Sequence, residues 1–389
     1  MRRVLFVSTL WPPRVLGGAE LYASALASRL KERGCEVGAV TLGVDGADVV
    51  ASVRPWPVRW EEFGSANALD HALLHVRDLY SREARMTVER AIREFRPDVV
   101  HSHSVAGLSG AVLATPSRLG VPHVHTLHDY WLLCQRMSMV KRSGTACERR
   151  CASCIVISME RDAIVRAHPP DVVTAVSYAV AREHERIPWM RDRLRVVPNP
   201  VEPVPTVART PGSPVTFGYI GQVTRHKGVP TLVEAFTGAD TGDARLLIAG
   251  TGPVYDELST RTPPSIEWLG WVDDAGKESF FAAIDCLVVP SEWKDPAPLV
   301  VNEARARQIP VIGARIGGIP ELVAPESAPL LFPARDLFAL RARLESFAAE
   351  PSLYAVTTEV PRDNTWSAHL DRMLHAYDDA ARSAVARRA

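Results

Sequence analysis

Short apolar runs rich in β-branched residues return along this chain, each followed by a turn and then a helical pattern. That alternation restricts the fold more than any other feature of the sequence. Val4–Thr9 is the first run, and a Pro/Gly loop from Trp11 to Gly18 follows it. From Ala19 the residues Leu21, Tyr22, Ala25, Leu26 and Leu30 recur at helical spacing, Gly34 stops the helix, and Val37–Leu42 begins the next strand. Further strands are expected at Asp98–His101, Pro122–Leu127, Val172–Ser177 and Arg195–Pro198. Strands that alternate with helices need crossover connections, which implies parallel sheets buried on both faces.

From Pro198 to Pro214 the pattern breaks: six prolines and little periodicity read as a linker. Alternation restarts with Val215–Ile220, Arg245–Ala249, Ile266–Gly270, Cys286–Pro290, Pro310–Gly313 and Leu330–Phe332 as strands. Two α/β domains are therefore expected, residues 1–205 and 206–365. A helical tail over about 366–389 is expected to pack back on the first. The 389 residues, 47% hydrophobic, are enough for two cores.

Charge excludes one class of partner. Basic and acidic residues number 45 each, so no basic surplus argues for nucleic acid. The apolar run after Met1-Arg2-Arg3 is too short for a signal peptide, and nothing approaches the roughly 20 apolar residues of a membrane span. A cytoplasmic protein is the expectation. The basic amphipathic stretch from Arg82 to Arg96 suits either a solvated helix face or contact with an anionic membrane surface. Only five basic residues are lysines, Lys31, Lys141, Lys227, Lys277 and Lys294, so a lysine in a candidate site merits inspection.

In open parallel sheets ligands bind beyond the carboxyl ends of the strands, and the second domain carries three glycine-bearing turns at such ends. Gly221-Gln222-Val223-Thr224-Arg225-His226-Lys227-Gly228 follows a strand and opens a helix, where amides and the helix dipole favour an anion. Arg225 and Lys227 add positive charge. Gly250-Thr251-Gly252 and Gly317-Gly318 are the other two turns. Ser291 to Pro298 is a proline-rich loop running into a helix. It holds Asp295, and Glu303 lies eight residues on, about one and a half turns into the helix. A carboxylate among Val301, Ala304 and Ala306 is either paired or used to grip hydroxyls.

The run PSEWKDPAPLVVNEARARQIPVIGARIGGIPELV resembles the donor-binding signature of the retaining glycosyltransferases of family 4, which have the GT-B fold. YIGQVTRHKGV, LIAGTGP, EWLGWVDD and CLVVPS fit the same pattern in the same order. In the first half so do PPRVLGGAELYASALASRLKERGCEV, PDVVHSHS, HTLHDYW and RVVPNPVE. The resemblance implies two Rossmann-like domains with parallel sheets facing across a deep cleft. It implies transfer of a sugar from a nucleoside-diphosphate sugar to an acceptor hydroxyl, with retention, front-face attack and no catalytic metal.

By that resemblance Glu303 holds the donor ribose, Asp295 sits by the donor sugar and Lys227 neutralises the diphosphate. Gly17 and Gly18 close over the phosphates, and His128 lies near the reacting carbon. Gly270 to Val272 face the base, and Leu299 and Val300 offer amides to the diphosphate. Gln222, Gly250, Gly252 and Gly318 complete the donor set, with His101, His103 and Tyr130 on the acceptor side. Two departures stand out: Gln222 occupies the usual arginine position, for which Arg225 is a candidate substitute, and Asp295 is one methylene shorter than the usual glutamate. They keep open a non-catalytic homologue that binds a nucleotide sugar or glycan; a GT-B epimerase is the other rival. A natural product, a polysaccharide and a lipid-linked glycan are all admissible acceptors.

Cys134, Cys147, Cys151 and Cys154 crowd into one segment with the spacing C-x12-C-x3-C-x2-C. Four thiols this close in a cytoplasmic protein favour a structural zinc over disulfides. A reduced loop is the alternative.

Overall fold

The computed structural model describes residues 2–15, 17–43, 45–55, 73, 76–141, 143–147, 149–202, 204, 212, 214–358 and 360–388. It divides into two compact units. One comprises Met1–Met139, Arg149–Asn199 and Ser367–Ala389; the other comprises Val140–Glu148 and Pro200–Trp366. The boundary expected at residue 205 lies outside the described residues.

The first unit is built on a parallel sheet of seven strands in the order β3-β2-β1-β4-β5-β6-β7. These are β1 (Arg3–Val7), β2 (Glu36–Leu42), β3 (Val49–Val53), β4 (Val99–Ser102), β5 (His123–Leu127), β6 (Val172–Ala175) and β7 (Leu194–Val196). The helices are α1 (Gly18–Glu32), α2 (Arg82–Phe95), α3 (Gly110–Arg118), α4 (Ala152–Val165) and α5 (Tyr178–His184). Every residue of β4, β5 and β6 is buried, as expected of parallel strands covered on both faces. The edge strand β3 was not expected. It alternates between half-buried and exposed positions, with only Val53 buried, unlike the fully buried central strands.

The second unit has five parallel strands in the order β10-β9-β8-β11-β12. They are β8 (Thr216–Ile220), β9 (Arg245–Ala249), β10 (Ile266–Gly270), β11 (Cys286–Val289) and β12 (Val311–Gly313). Between and after them lie α6 (Val229–Gly238), α7 (Tyr255–Ser259), α8 (Asp274–Ala283), α9 (Leu299–Ala306), α10 (Ile319–Leu322) and α11 (Leu337–Ala349). Phe217, Leu246, Ile248, Leu287, Val301 and Leu344 make its core, all fully buried. The strand expected at Leu330–Phe332 is absent. Pro325–Leu330 forms a 3-10 turn, Phe332 makes a single bridge to Ala314, and Pro329 and Pro333 remove the amides a longer ladder needs.

The final helix α12 (Trp366–Arg388) belongs to the first unit over Ser367 onward. Met373, Tyr377 and Ala380 on it are buried, and Arg2 pairs with Asp378 at 2.5 Å. The basic stretch after residue 82 is indeed a helix, capped by Ser81, but Arg85, Arg93 and the neighbouring Arg118 all pair with Glu89. Among the described residues no helix is long and apolar enough to cross a membrane.

Both sheets share one topological feature. Strand order reverses between β1 and β4 in the first unit and between β8 and β11 in the second. At such a switch point neighbouring loops leave in opposite directions and open a crevice at the carboxyl ends.

Candidate active site

In the second unit the loops after β8 and β11 flank the switch point. Glu292 N donates to His226 O at 2.9 Å and Thr231 Oγ1 to Glu292 Oε1 at 2.5 Å, tying the two loops together. Lys227 from the first loop meets Asp295 from the second, Nζ to Oδ2, at 2.6 Å. Asp295 is only 4% exposed, and Ser291 Oγ donates to the same oxygen at 3.2 Å. Lys227 also stands over the Trp293 ring, 5.2 Å from its centroid. A buried carboxylate needs such partners, because an unpaired charge there would be strongly destabilising. Glu303 projects from α9 and pairs with Lys277 of α8 at 3.0 Å. Leu299 and Val300 open α9, where the first amides lack intrahelical acceptors.

Several expected donor residues have backbone duties instead. Gly250 has φ 124°, and a Cβ there would lie 1.9 Å from Gly221 O, so the turns after β8 and β9 pack backbone to backbone. Gly252 is crowded in the same way by Val223, while Gly270 O accepts from Gly250 N at 2.6 Å. The Gly318 amide donates to Asp295 O at 2.8 Å and is therefore already occupied. These glycines set the loop shapes, and sequence alone cannot separate that duty from phosphate contact. Val272 packs against the core. Gln222 is exposed, its carbonyl accepting from Tyr219 OH at 2.7 Å. Arg225, the candidate replacement for the missing arginine, is 54% exposed and paired with Glu257 at 2.9 Å.

The first unit gathers histidines rather than charge pairs. His101 bonds Tyr377 OH at 2.9 Å through Nδ1 and Thr126 Oγ1 at 2.7 Å through Nε2. His103 stacks on Phe6, and its Nδ1 lies 3.0 Å from His128 Nε2. Burial pushes His128 down to about 3, so its ring is neutral over the physiological range. His101, His103 and Tyr130 are each no more than 1% exposed, which corrects the expectation that they present themselves to an acceptor: His101 and His103 pack ring to ring behind His128, and Tyr130 stacks on His184. The strand ends were placed rightly, but which side of the sheet each ring faces is a tertiary matter. Gly17 N donates to Glu20 Oε2 at 2.9 Å and Gly18 begins α1, so the Gly17 amide too is engaged.

Sequence reasoning passed over Asp129 and Lys277. Asp129 follows His128 and accepts from Trp131 N at 2.7 Å and Ser104 Oγ at 3.3 Å; burial raises it to about 6. With His103, His125, His128 and Trp131 it lines a small pocket. The loop is anchored from below by Asp78, which accepts from Trp131 Nε1 at 2.7 Å and pairs with the buried Arg161. The scarcity of lysine is the one signal that could have found Lys277.

Three of the four cysteines, Cys134, Cys151 and Cys154, come together at the start of α4. Cys134 and Cys154 stand 3.8 Å apart, sulfur to sulfur, while exposed Cys151 turns to Ser153 Oγ at 3.2 Å. Cys147 lies in the short segment grouped with the second unit. Among the described residues no three His, Cys, Asp or Glu side chains form a group that could hold a metal ion. Cys151 caps the start of α4, and its side chain bonds that of Cys154.

Two units with switch-point crevices and this motif series define a glycosyltransferase of the GT-B fold. The comparisons with known proteins agree. A family model described as Glycosyltransferase Family 4 matches residues 16–204, and one described as Glycosyl transferases group 1 matches 214–350. The chain belongs to the family 4 glycosyltransferases, enzymes that transfer glycosyl groups. Among relatives, α-maltose-1-phosphate synthase of Mycolicibacterium smegmatis is 28% identical, over 90% of this chain and 90% of its own. Among solved structures, sucrose-phosphate synthase from Thermosynechococcus elongatus superposes with a TM-score of 0.74 at 19% identity, covering 97% and 98% of the two chains. Anabaena HepE in complex with UDP-glucose gives 0.62 at 16% identity, covering 99% and 100%.

Proposed function

We propose that this glycosyltransferase takes its sugar from a nucleoside-diphosphate sugar held by the second unit and passes it, with retention, to an acceptor hydroxyl. The observation that carries this reading is the Lys227–Asp295 pair at the β8/β11 switch point, 2.6 Å across. A nucleoside-diphosphate donor is supported as well by the HepE complex with UDP-glucose, a protein of the same fold.

In this reading Lys227 and the first amides of α9 take up the charge that develops on the leaving diphosphate. Electrostatic stabilisation of this kind is often the largest single contribution to catalysis. The bond between the anomeric carbon and the phosphate oxygen breaks, its electron pair going to the phosphate. The acceptor oxygen bonds to the same face of the carbon and gives its proton to the departing phosphate oxygen. Asp295 grips a hydroxyl of the sugar, and Glu303 grips the ribose. His128 stays neutral and orients the transferred sugar by hydrogen bonding. Arg225, already paired with Glu257, has no part in the chemistry.

Calorimetric binding of UDP, GDP, ADP and dTDP tests the donor site. One of the four binds wild type, and Glu303→Ala weakens it about tenfold or more, the loss expected for hydrogen bonds to a charged group. Indifference of binding to both Glu303→Ala and Lys227→Ala would sink the reading.

A further inference from the structure

Two of the five lysines of this arginine-rich chain each pair with one of the two carboxylates assigned to the donor. The second pair has a chemical consequence. Lys277 Nζ holds one oxygen of Glu303, Oε1, at 3.0 Å, with Asp274 farther off at 3.9 Å. Lys277 and Glu303 are each 29% exposed, so the pair is partly withdrawn from water. The terminal torsion of a glutamate is broad and roughly two-fold, and a carboxylate without an anchor turns freely. An ammonium on one oxygen fixes the carboxylate plane and leaves Oε2 to accept from a ligand. An arginine at the same place would present a planar fork matched to both oxygens at once, and would occupy the carboxylate completely. Lysine is therefore the basic residue that steadies Glu303 while keeping it open.

We propose that Lys277 is a positioning residue that sets donor specificity: it holds Glu303 Oε1 so that Oε2 meets the ribose hydroxyls, and the unit thereby distinguishes ribonucleotides from 2′-deoxyribonucleotides. The proposal rests on the ribose role given to Glu303 above.

The test is calorimetry with the tightest binder among UDP, GDP and ADP and with its 2′-deoxy counterpart. The proteins are wild type, Lys277→Met, Lys277→Arg and Glu303→Gln, each checked for an unchanged melting transition. Wild type prefers the ribonucleotide by about tenfold, the worth of one hydrogen bond to a charged group. Lys277→Met and Lys277→Arg lose most of that preference, while the deoxynucleotide affinity stays within about twofold. Full preference in Lys277→Arg would show that positive charge alone suffices and would overturn the proposal; so would equal weakening of both nucleotides in Lys277→Met. If Glu303→Gln abolishes the preference and both lysine variants keep it, the ribose role of Glu303 stands and the role of Lys277 falls. If Glu303→Gln leaves the preference untouched, or wild type binds none of the nucleotides, the donor-site reading falls and takes this inference with it.

Discussion

The two units solve the same problem, placing polar groups at the carboxyl ends of a buried parallel sheet, in opposite ways. In the first unit the polar groups are histidines stacked behind His128, neutral and almost fully buried, each held by hydroxyls or by another ring. In the second they are lysine–carboxylate pairs, partly exposed and charged. A neutral buried layer fixes geometry, and its stability depends on pH. A charged pair whose lysine is partly exposed can exchange partners with an anionic ligand, at the cost of some screening by salt. The contrast assigns shape to one unit and charge to the other.

The largest effect should come from the charged side. Lys227→Ala is expected to lower kcat/KM about 100- to 1000-fold, the range seen when one preorganised stabilising group is removed. Steady-state kinetics with the best donor read this directly. A change under threefold would mean that charge in the second unit is not where catalysis lies.

Acid is the next lever, and it should act on the first unit. Burial lowers His125, His128 and His369 to about 3 and His184 to about 4, and lowers His101, His103 and His123 as well. A histidine depressed on folding binds fewer protons in the native state than in the unfolded one. Stability is therefore complete above the unfolded value near 6.5 and is lost as pH falls from there toward the folded value. Each such histidine contributes up to about 1.4 kcal/mol of loss per pH unit within that window. The second unit has only His226, lowered to about 4 by burial and by Lys227. Calorimetric unfolding at pH 7 and pH 5 should show the transition of the first unit falling further than that of the second. Equal shifts would erase the distinction.

A smaller effect tests the hydroxyl support of the histidine layer. Tyr377→Phe removes the partner of His101 Nδ1 and should cost about 1–3 kcal/mol, the penalty for leaving a buried polar atom unpaired. The urea midpoint measures it, and donor affinity should not move. The smallest effect is expected at Arg225. Its exposed pair with Glu257 is worth at most about 1 kcal/mol, so Arg225→Ala should leave stability and turnover near wild type. A tenfold or greater loss of kcat would show instead that Arg225 replaces the charge absent at Gln222.

Much of the fold was legible in the sequence for a plain reason: a central parallel strand must be apolar along its length. Val99-Val100, Val172-Val173 and Leu246-Leu247-Ile248 could be read as strands without any tertiary knowledge. β3 escaped because one side of an edge strand meets solvent. In the candidate site, Lys227, Asp295 and Glu303 were legible because each lies in a strand-to-helix turn or the helix that follows it, where ligand groups gather. Lys277 was not, since it meets Glu303 from another helix 26 residues earlier in the chain.

The sequence by itself determined two parallel-sheet units and the loops that carry the charged residues. These follow from local periodicity and from the backbone demands of turns, which need no distant partner. Only the tertiary structure decided which of the polar residues are presented and which are enclosed. It turned His101, His103 and Tyr130 inward, engaged the Gly17 and Gly318 amides, brought Cys134 to Cys154, and joined Lys277 to Glu303. Burial and pairing depend on what packs from the far side of a sheet or helix, and residues distant in sequence supply that.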